Sequence, residues 1–147
     1  DVLSAAEMYD AAVRAFEGSD GAVMCAAVAD YTPDRVSDTK IKKCDGDMCI
    51  TLRRTRDIAA ELGAHKGGRL LVGFALETHD EQAHAEAKLE KKNFDFIVLN
   101  SLNDPGAGFR HDTNKITIIS RTDSVVYPLK SKKEVAADIV DRLVSSF

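Results

Sequence analysis

Gly21-Ala-Val-Met-Cys-Ala-Ala-Val-Ala29 is a continuous run of small and apolar residues, the pattern expected of a strand covered on both faces. Two runs of the same kind follow, Leu70-Leu-Val-Gly-Phe-Ala-Leu76 and Phe94-Asp-Phe-Ile-Val-Leu99. Helical patterns surround and separate them. Ser4 and Glu7 have the spacing of a capping box, and Ala5, Met8, Ala12, Val13 and Phe16 then recur at helical intervals up to Gly18. A second helix follows Thr55 or Arg56 and runs through Ile58, Ala59 and Leu62 to near Gly67-Gly68. A third opens on another capping-box pair, Thr78 and Glu81, and carries Ala83, Ala87 and Leu89 to about Lys92. Helices that alternate with buried strands imply right-handed βαβ crossovers. The expected architecture is α/β, a three-layer Rossmann-like, mostly parallel sheet with helices on both faces.

The C-terminal part breaks the alternation. Lys115-Ile-Thr-Ile-Ile-Ser120 and Ser124-Val-Val-Tyr127 flank the short Arg121-Thr-Asp123 turn, an antiparallel hairpin at the edge of the sheet. Ser131 with Glu134 caps a last helix through Val135, Ile139 and Leu143. Asp30 to Thr39 reads as a polar loop that continues through Lys40-Ile-Lys-Lys43, Asp45-Gly46 marks a turn, Cys49 to Arg53 a strand, and Asn100 to Asn114 a long loop around Asp104-Pro-Gly106. The 147 residues suit one domain spanning 1–147.

Composition narrows the function classes. Twenty Lys and Arg against 24 Asp and Glu leave a formal charge of −4, which disfavours a general nucleic-acid binder. No apolar run approaches the ~20 residues of a membrane-spanning helix, and no signal peptide opens the chain. Cys25, Cys44 and Cys49 are an odd set without a C-x-x-C pair, as in a reduced, cytoplasmic protein. His65, His79, His84 and His111 show no zinc-ligand spacing with them. Walker, G-x-G-x-x-G, H-E-x-x-H and G-x-S-x-G motifs are all missing.

Four features carry chemistry. Lys40, Lys42, Lys43, Arg53, Arg54 and Arg56 are six basic residues against two acidic ones, Asp45 and Asp47, between positions 40 and 56. Such a segment either neutralises a polyanion such as a triphosphate or is a solvated loop, and charge alone favours the second. Asp30, directly after a small-residue strand, is either a ligand for ribose or Mg²⁺ or the cap of a turn. Gly73-Phe74 lies in a buried strand, where Gly permits close approach and Phe either stacks on a base or packs in the core. Lys88 and Lys92, four apart with His84 on the same face, repel one another unless an anion lies between them. Cys25, in mid-strand, reads as a core residue, and Cys44 beside Lys42 and Lys43 as a loop thiol. The loops at Asp30, Glu77 and Asn100 leave the carboxyl ends of strands, where such sheets bind ligands.

Together, Ala26-Ala-Val-Ala-Asp-Tyr31, Lys40-Ile-Lys-Lys43 and Val72-Gly-Phe-Ala-Leu-Glu-Thr78 resemble phosphopantothenoylcysteine synthetase. Ala87-Lys88-Leu89 with Lys92, Asp95-Phe-Ile-Val-Leu-Asn100, and Gly108-Phe109 before Asp112-Thr-Asn114 agree with it in order along nearly the whole chain. The resemblance implies the ligase of coenzyme A biosynthesis, in bacteria often fused to a flavin-dependent decarboxylase. Such an enzyme activates 4′-phosphopantothenate with CTP and Mg²⁺ through an acyl-cytidylate, then condenses it with cysteine, as a homodimer. By the same resemblance Lys40 contacts the triphosphate and is the catalytic candidate, on a flap with Lys42 and Lys43. Asp30 holds nucleotide or metal, Met24, Cys25 and Ala26 present backbone to the base, and Arg56, Asp57, Ile58 and Ala59 start a phosphate-facing helix. Phe74, Lys88 and Lys92 complete the nucleotide pocket.

Two departures accompany the resemblance. Thr55-Arg56-Asp57 stands where family members often have Asn-Pro-Asp, so the proline that presets a first helical turn is missing. The chain also starts at Asp1-Val-Leu-Ser-Ala-Ala-Glu-Met8, after the family's glycine-rich upstream segment, and the expectation is that it has little ligase activity alone. Two other functions compete: a non-catalytic nucleotide-binding or assembly module of the same fold, and a dinucleotide-dependent oxidoreductase, against which the missing G-x-G-x-x-G speaks.

Overall fold

A computed structural model describes residues 1–43, 45–101 and 111–147. Cys44, Gly108-Phe109 and most of the expected loop after Asn100 lie outside the described residues. Along the chain run α1 (Ala5–Glu17), β1 (Gly21–Met24), β2 (Tyr31–Pro33), β3 (Leu52–Arg54), α2 (Ile58–Ala64), β4 (Leu70–Glu77) and α3 (Glu81–Lys91). Then come β5 (Phe96–Ser101), β6 (Thr113–Asn114), β7 (Ile116–Ser120), β8 (Ser124–Val126), β9 (Lys130–Ser131) and α4 (Lys132–Val144). The main sheet has the order β1-β4-β5-β7-β8. Its first three strands are parallel, and β7 and β8 add on antiparallel as the expected hairpin. Two small ribbons, β2-β3 and β6-β9, complete the strands.

Alternation along the central strands splits the core into two layers. Leu71, Ala75, Ile97, Leu99 and Ile119 face one side and pack with Phe16 of α1, Ile58 and Leu62 of α2, and Ala85 and Leu89 of α3. Val72, Phe96, Val98, Ile116 and Ile118 face the other side and pack with Val135 and Ile139 of α4. Helices therefore cover both faces, as the alternation of patterns predicts. Among the described residues no helix is long and apolar enough to cross a membrane.

The first and last capping boxes form. Ser4 Oγ accepts the Glu7 N–H at 3.2 Å, and Ser131 Oγ accepts the Glu134 N–H at 3.3 Å. The middle one does not. Asp80 is the N-cap of α3, in a left-handed conformation (φ 45°) and without a side-chain cap bond. The Glu81 carboxylate instead accepts the Ser101 hydroxyl at 2.6 Å, so a tertiary partner on β5 takes the group that would have closed the box.

The first strand is also shorter than its apolar run. Only Gly21–Met24 joins the sheet, and its one hydrogen-bonded neighbour is β4. At this edge Val23 is 42% exposed and Cys25 is exposed, which replaces the expected two-sided burial and the core reading of Cys25. The run of small residues serves a different end: from residue 25 to 30 the chain leaves the ladder and forms the wall of a cavity. Tyr31–Pro33, expected as loop, pairs antiparallel with Leu52–Arg54. The strand expected over Cys49 to Arg53 is thus only β3, and the helix expected to reach Gly67 ends at Ala64.

Candidate functional site

A cavity of about 180 Å³ opens at the carboxyl ends of β1 and β4. Met24 and Ala26 come from the end of β1 and its continuation, Asp30 from the start of the ribbon, and Phe74 from β4. Arg56, Asp57, Ile58 and Ala59 bring the start of α2, while Lys88 and Lys92 come from α3. All ten are residues singled out from sequence. Cys25 and Lys40, also singled out, are exposed and outside the lining.

The wall opposite the lysines is fixed by backbone. Thr55 donates its N–H to the Asp30 carbonyl at 2.9 Å and its hydroxyl to the Ala29 carbonyl at 2.7 Å. These bonds clamp the base of the β2-β3 ribbon at the cavity rim. Lys40, Lys42 and Lys43 ride on the connection between β2 and β3, exposed and with no ion-pair partner among the described residues. Gly73 supplies room below. A Cβ there would sit 2.4 Å from the Phe94 ring, which also lines the cavity. Phe74 is 38% exposed, so it is not a core residue.

Each cation in the wall is paired with a carboxylate. Lys92 Nζ lies 3.2 Å from Asp57 Oδ2. Lys88 Nζ lies 2.5 Å from Glu77 Oε1, whose other oxygen is 3.6 Å from His84 Nδ1. The helical lysine pair thus has two anions of its own, which relieves the repulsion that its spacing implies. Asp57 is also the N-cap of α2, where Oδ1 accepts the Ala60 N–H at 3.0 Å. One donor expected to face phosphate is therefore already taken.

Arg56 is held from α1. Its guanidinium stacks 3.5 Å over the Tyr9 ring and bonds Asp10 Oδ1 at 2.8 Å. Burial, reinforced by the Glu61 carboxylate, pushes the Tyr9 phenol above its ordinary range, so the ring meets the guanidinium uncharged at neutral pH. Sequence reading passed over Tyr9 and Asp10, which stand 47 and 46 positions before Arg56 and carry no local signal of it. Glu77 lay within a quoted motif without an assigned role. The Asp30 carboxylate has no hydrogen bond or ion pair among the described residues, so it is available to a ligand. No three His, Cys, Asp or Glu side chains gather as a metal site among the described residues. A Mg²⁺ here would need oxygens from a bound phosphate beside Asp30, which is how Mg²⁺ is commonly held.

Comparison with known proteins identifies the family. The model of the "DNA/pantothenate metabolism flavoprotein C-terminal domain" matches residues 1–147. The chain is 57% identical over 147 residues to a cysteine/cysteine sulfinic acid decarboxylase from an unknown prokaryotic organism, covering 99% of this chain and 41% of that protein. It is 43% identical over 145 residues to the coenzyme A biosynthesis bifunctional protein CoaBC of Bacillus subtilis (strain 168), covering 98% of this chain and 36% of that one. The crystal structure of the C-terminal domain of a CoaBC protein superposes with a TM-score of 0.76 at 34% identity, over 97% of this chain and 62% of that chain. The chain thus spans well under half the length of these curated relatives, and it belongs to the family of the DNA/pantothenate metabolism flavoprotein C-terminal domain.

Proposed function

We propose that this chain is the nucleotide-binding part of a phosphopantothenate–cysteine ligase of coenzyme A biosynthesis. In this reading CTP occupies the cavity, with its base against the backbone at Met24 to Ala26 and its phosphates toward Arg56, Lys88 and Lys92. Cys25 contributes its main-chain carbonyl, since its N–H already donates to the Val23 carbonyl at 3.2 Å. The 4′-phosphopantothenate carboxylate attacks the α-phosphorus, and pyrophosphate leaves. The cysteine amine then attacks the acyl carbon of the acyl-cytidylate, forming the amide as CMP departs.

The chemistry assigns the chain's residues their work. Negative charge builds on the α-phosphoryl oxygens and on the departing pyrophosphate, and fixed cations stabilise it. Mg²⁺, when bound beside Asp30, supplies further charge neutralisation at the phosphates. Lys40 brings a free ammonium once the ribbon closes over the ligand, as flaps do in many enzymes. The wall lysines trade their carboxylate partners for phosphate oxygens.

The observation that carries this reading is the convergence of Asp30, Arg56, Lys88 and Lys92 on one cavity at the carboxyl ends of parallel strands, the usual ligand position in such sheets. The relative named CoaBC supports the ligase, and the relative named a decarboxylase supports a second, decarboxylating part joined to a domain like this one. A homodimer and a cytoplasmic location belong to the same proposal.

Calorimetry with CTP and with ATP in the presence of Mg²⁺ tests it. Saturable CTP binding is expected, weakened sharply in Lys40→Ala, and pyrophosphate release is expected only when the family's upstream segment accompanies the chain. A non-catalytic nucleotide-binding module is the second reading, favoured by the carboxylate partner of every wall cation. It predicts CTP binding without pyrophosphate release even with that segment supplied.

A further inference from the structure

Lys88 and Lys92 stand one turn apart on α3 and both line the cavity, but their carboxylate partners differ in what else they hold. Asp57, the partner of Lys92, also accepts the Ala60 N–H at the start of α2. When a phosphate takes Lys92, Asp57 keeps that donor. Glu77, the partner of Lys88, is the last residue of β4, and its side chain is 15% exposed. Its other oxygen lies 3.6 Å from Nδ1 of His84, one turn before Lys88 on α3. Among the described residues Lys88 and His84 are the only side-chain partners of Glu77. Neither Glu77 nor His84 lines the cavity, so both act on it through Lys88.

We propose that His84 makes nucleotide binding proton-linked, by taking over the Glu77 carboxylate when Lys88 turns to phosphate. This rests on the cavity being the nucleotide site and names the regulation of that site. At 3.6 Å the His84–Glu77 contact is too long for a hydrogen bond, and it becomes an ion pair only when the imidazole is protonated. With a neutral imidazole, transfer of Lys88 to a phosphate strands a largely buried carboxylate beside an incoming anion, which is costly. With His84 charged, the carboxylate keeps a cation and Lys88 is released more easily. The proton comes from solvent and stays on the imidazole. Imidazole is the side chain that ordinarily changes charge between pH 5 and 8. Its charged form grows as pH falls, so nucleotide affinity rises from pH 8 to pH 6, and by linkage the nucleotide draws a proton to His84.

Most other charged groups around α3 are engaged elsewhere. Glu81 accepts the Ser101 hydroxyl of β5 and lines a small cavity with Lys115. His79 bonds the Thr78 hydroxyl, Glu86 accepts the Gln82 amide, and Arg121, just past β7, pairs with Glu90. Asp80, the N-cap one turn before His84, is the second carboxylate on its side, and the Glu77→Gln variant separates the two.

Calorimetry of the intact protein with CTP and Mg²⁺ at pH 6 and pH 8 tests the proposal in wild type and His84→Gln. CTP itself titrates in this range, so the quantity read is the ratio of affinities at the two pH values, compared between proteins. The wild-type ratio is expected to exceed that of His84→Gln by about two- to fivefold, the effect of a partly exposed ion pair. At pH 8 the two proteins bind CTP alike. Near pH 7, titrations in buffers of different ionisation enthalpy show more proton uptake on binding in wild type than in His84→Gln. Glu77→Gln is expected to show the His84→Gln ratio although its histidine remains. Equal ratios in wild type and His84→Gln, or an undiminished ratio in Glu77→Gln, overturn the proposal and leave CTP binding standing. Absence of CTP binding at both pH values overturns the nucleotide reading and this proposal with it. His84 is exposed on the helix surface, and an unchanged melting temperature shows that its variant folds.

Discussion

The Lys92 ammonium of α3 lies 3.2 Å from the Asp57 carboxylate that caps α2. One side chain thereby closes the end of a helix and holds a cation of the cavity wall. Lys88, one turn earlier, is held in the same way by Glu77 at the end of β4. The wall is preassembled by carboxylates, and in the proposed function a bound polyanion takes their place.

Asp57→Ala removes both the cap and the ion partner. The loss of a side-chain N-cap costs about 1 kcal/mol, and chemical denaturation is expected to show a drop of that order. Asp57→Asn keeps the acceptor for the Ala60 N–H and is expected to recover most of the stability. Equal losses in the two variants would assign the stabilisation to the Lys92 pair rather than to the cap.

Lys40→Ala separates binding from folding. The side chain is exposed and outside the cavity lining, so its removal leaves the melting temperature unchanged. CTP affinity is expected to fall at least about tenfold, the size of a lost charge-assisted hydrogen bond. Unaltered CTP affinity in calorimetry would remove Lys40 from the site.

Gly73→Ala tests the floor of the cavity. The added methyl would meet the Phe94 ring at 2.4 Å, and overpacking of this kind costs about 1–3 kcal/mol. Lower stability in urea and weaker CTP binding are expected together, since Phe94 must move into the space it lines.

Tyr9→Leu removes the stack under Arg56 without changing charge. A cation–π contact at such a site contributes about 0.5–1 kcal/mol. Weaker CTP binding is expected in Tyr9→Leu but no further weakening when it is added to Arg56→Ala. Additive losses in that double-mutant cycle would separate Tyr9 from Arg56.

Acid should loosen two helix starts and one turn. Hydrogen bonds from the Leu3 and Ser4 backbone hold the Glu7 carboxyl below its ordinary value, and the Ser131 hydroxyl and N–H do the same for Glu134. The Ser120 hydroxyl and Arg142 lower Asp123. Carboxyl groups with lowered folded values bind fewer protons folded than unfolded, so their stabilisation is complete above the unfolded value. It is lost as pH falls below about 4.5 through the folded values. Urea denaturation between pH 6 and 3 is expected to show falling stability, with a shallower slope in Glu134→Gln.

Much of this molecule is readable from local pattern. The Ser4–Glu7 and Ser131–Glu134 boxes, the apolar runs of β4 and β5 and the final hairpin act over a few residues, and short-range sterics and capping decide them. Ten of the twelve residues singled out reach one cavity, because the end of β1, the start of α2 and the face of α3 pack around the carboxyl-end rim of the parallel strands.

What sequence by itself determined is the alternation of elements, the two buried strands and the small-residue stretch that approaches the cavity. Tertiary structure alone decided three things: where β1 leaves the sheet, that Tyr31–Pro33 pairs with Leu52–Arg54, and that Glu81 turns to Ser101 instead of capping α3. It also decided that Arg56, Lys88 and Lys92 of the cavity wall are each met by a carboxylate from another element, while Arg53 and Arg54 have no ion-pair partner among the described residues. The physical reason is range. Hydrogen-bond partners and counter-charges separated by eleven to forty-six residues leave no periodicity in the chain, and only the packed sheet brings them within reach of one another.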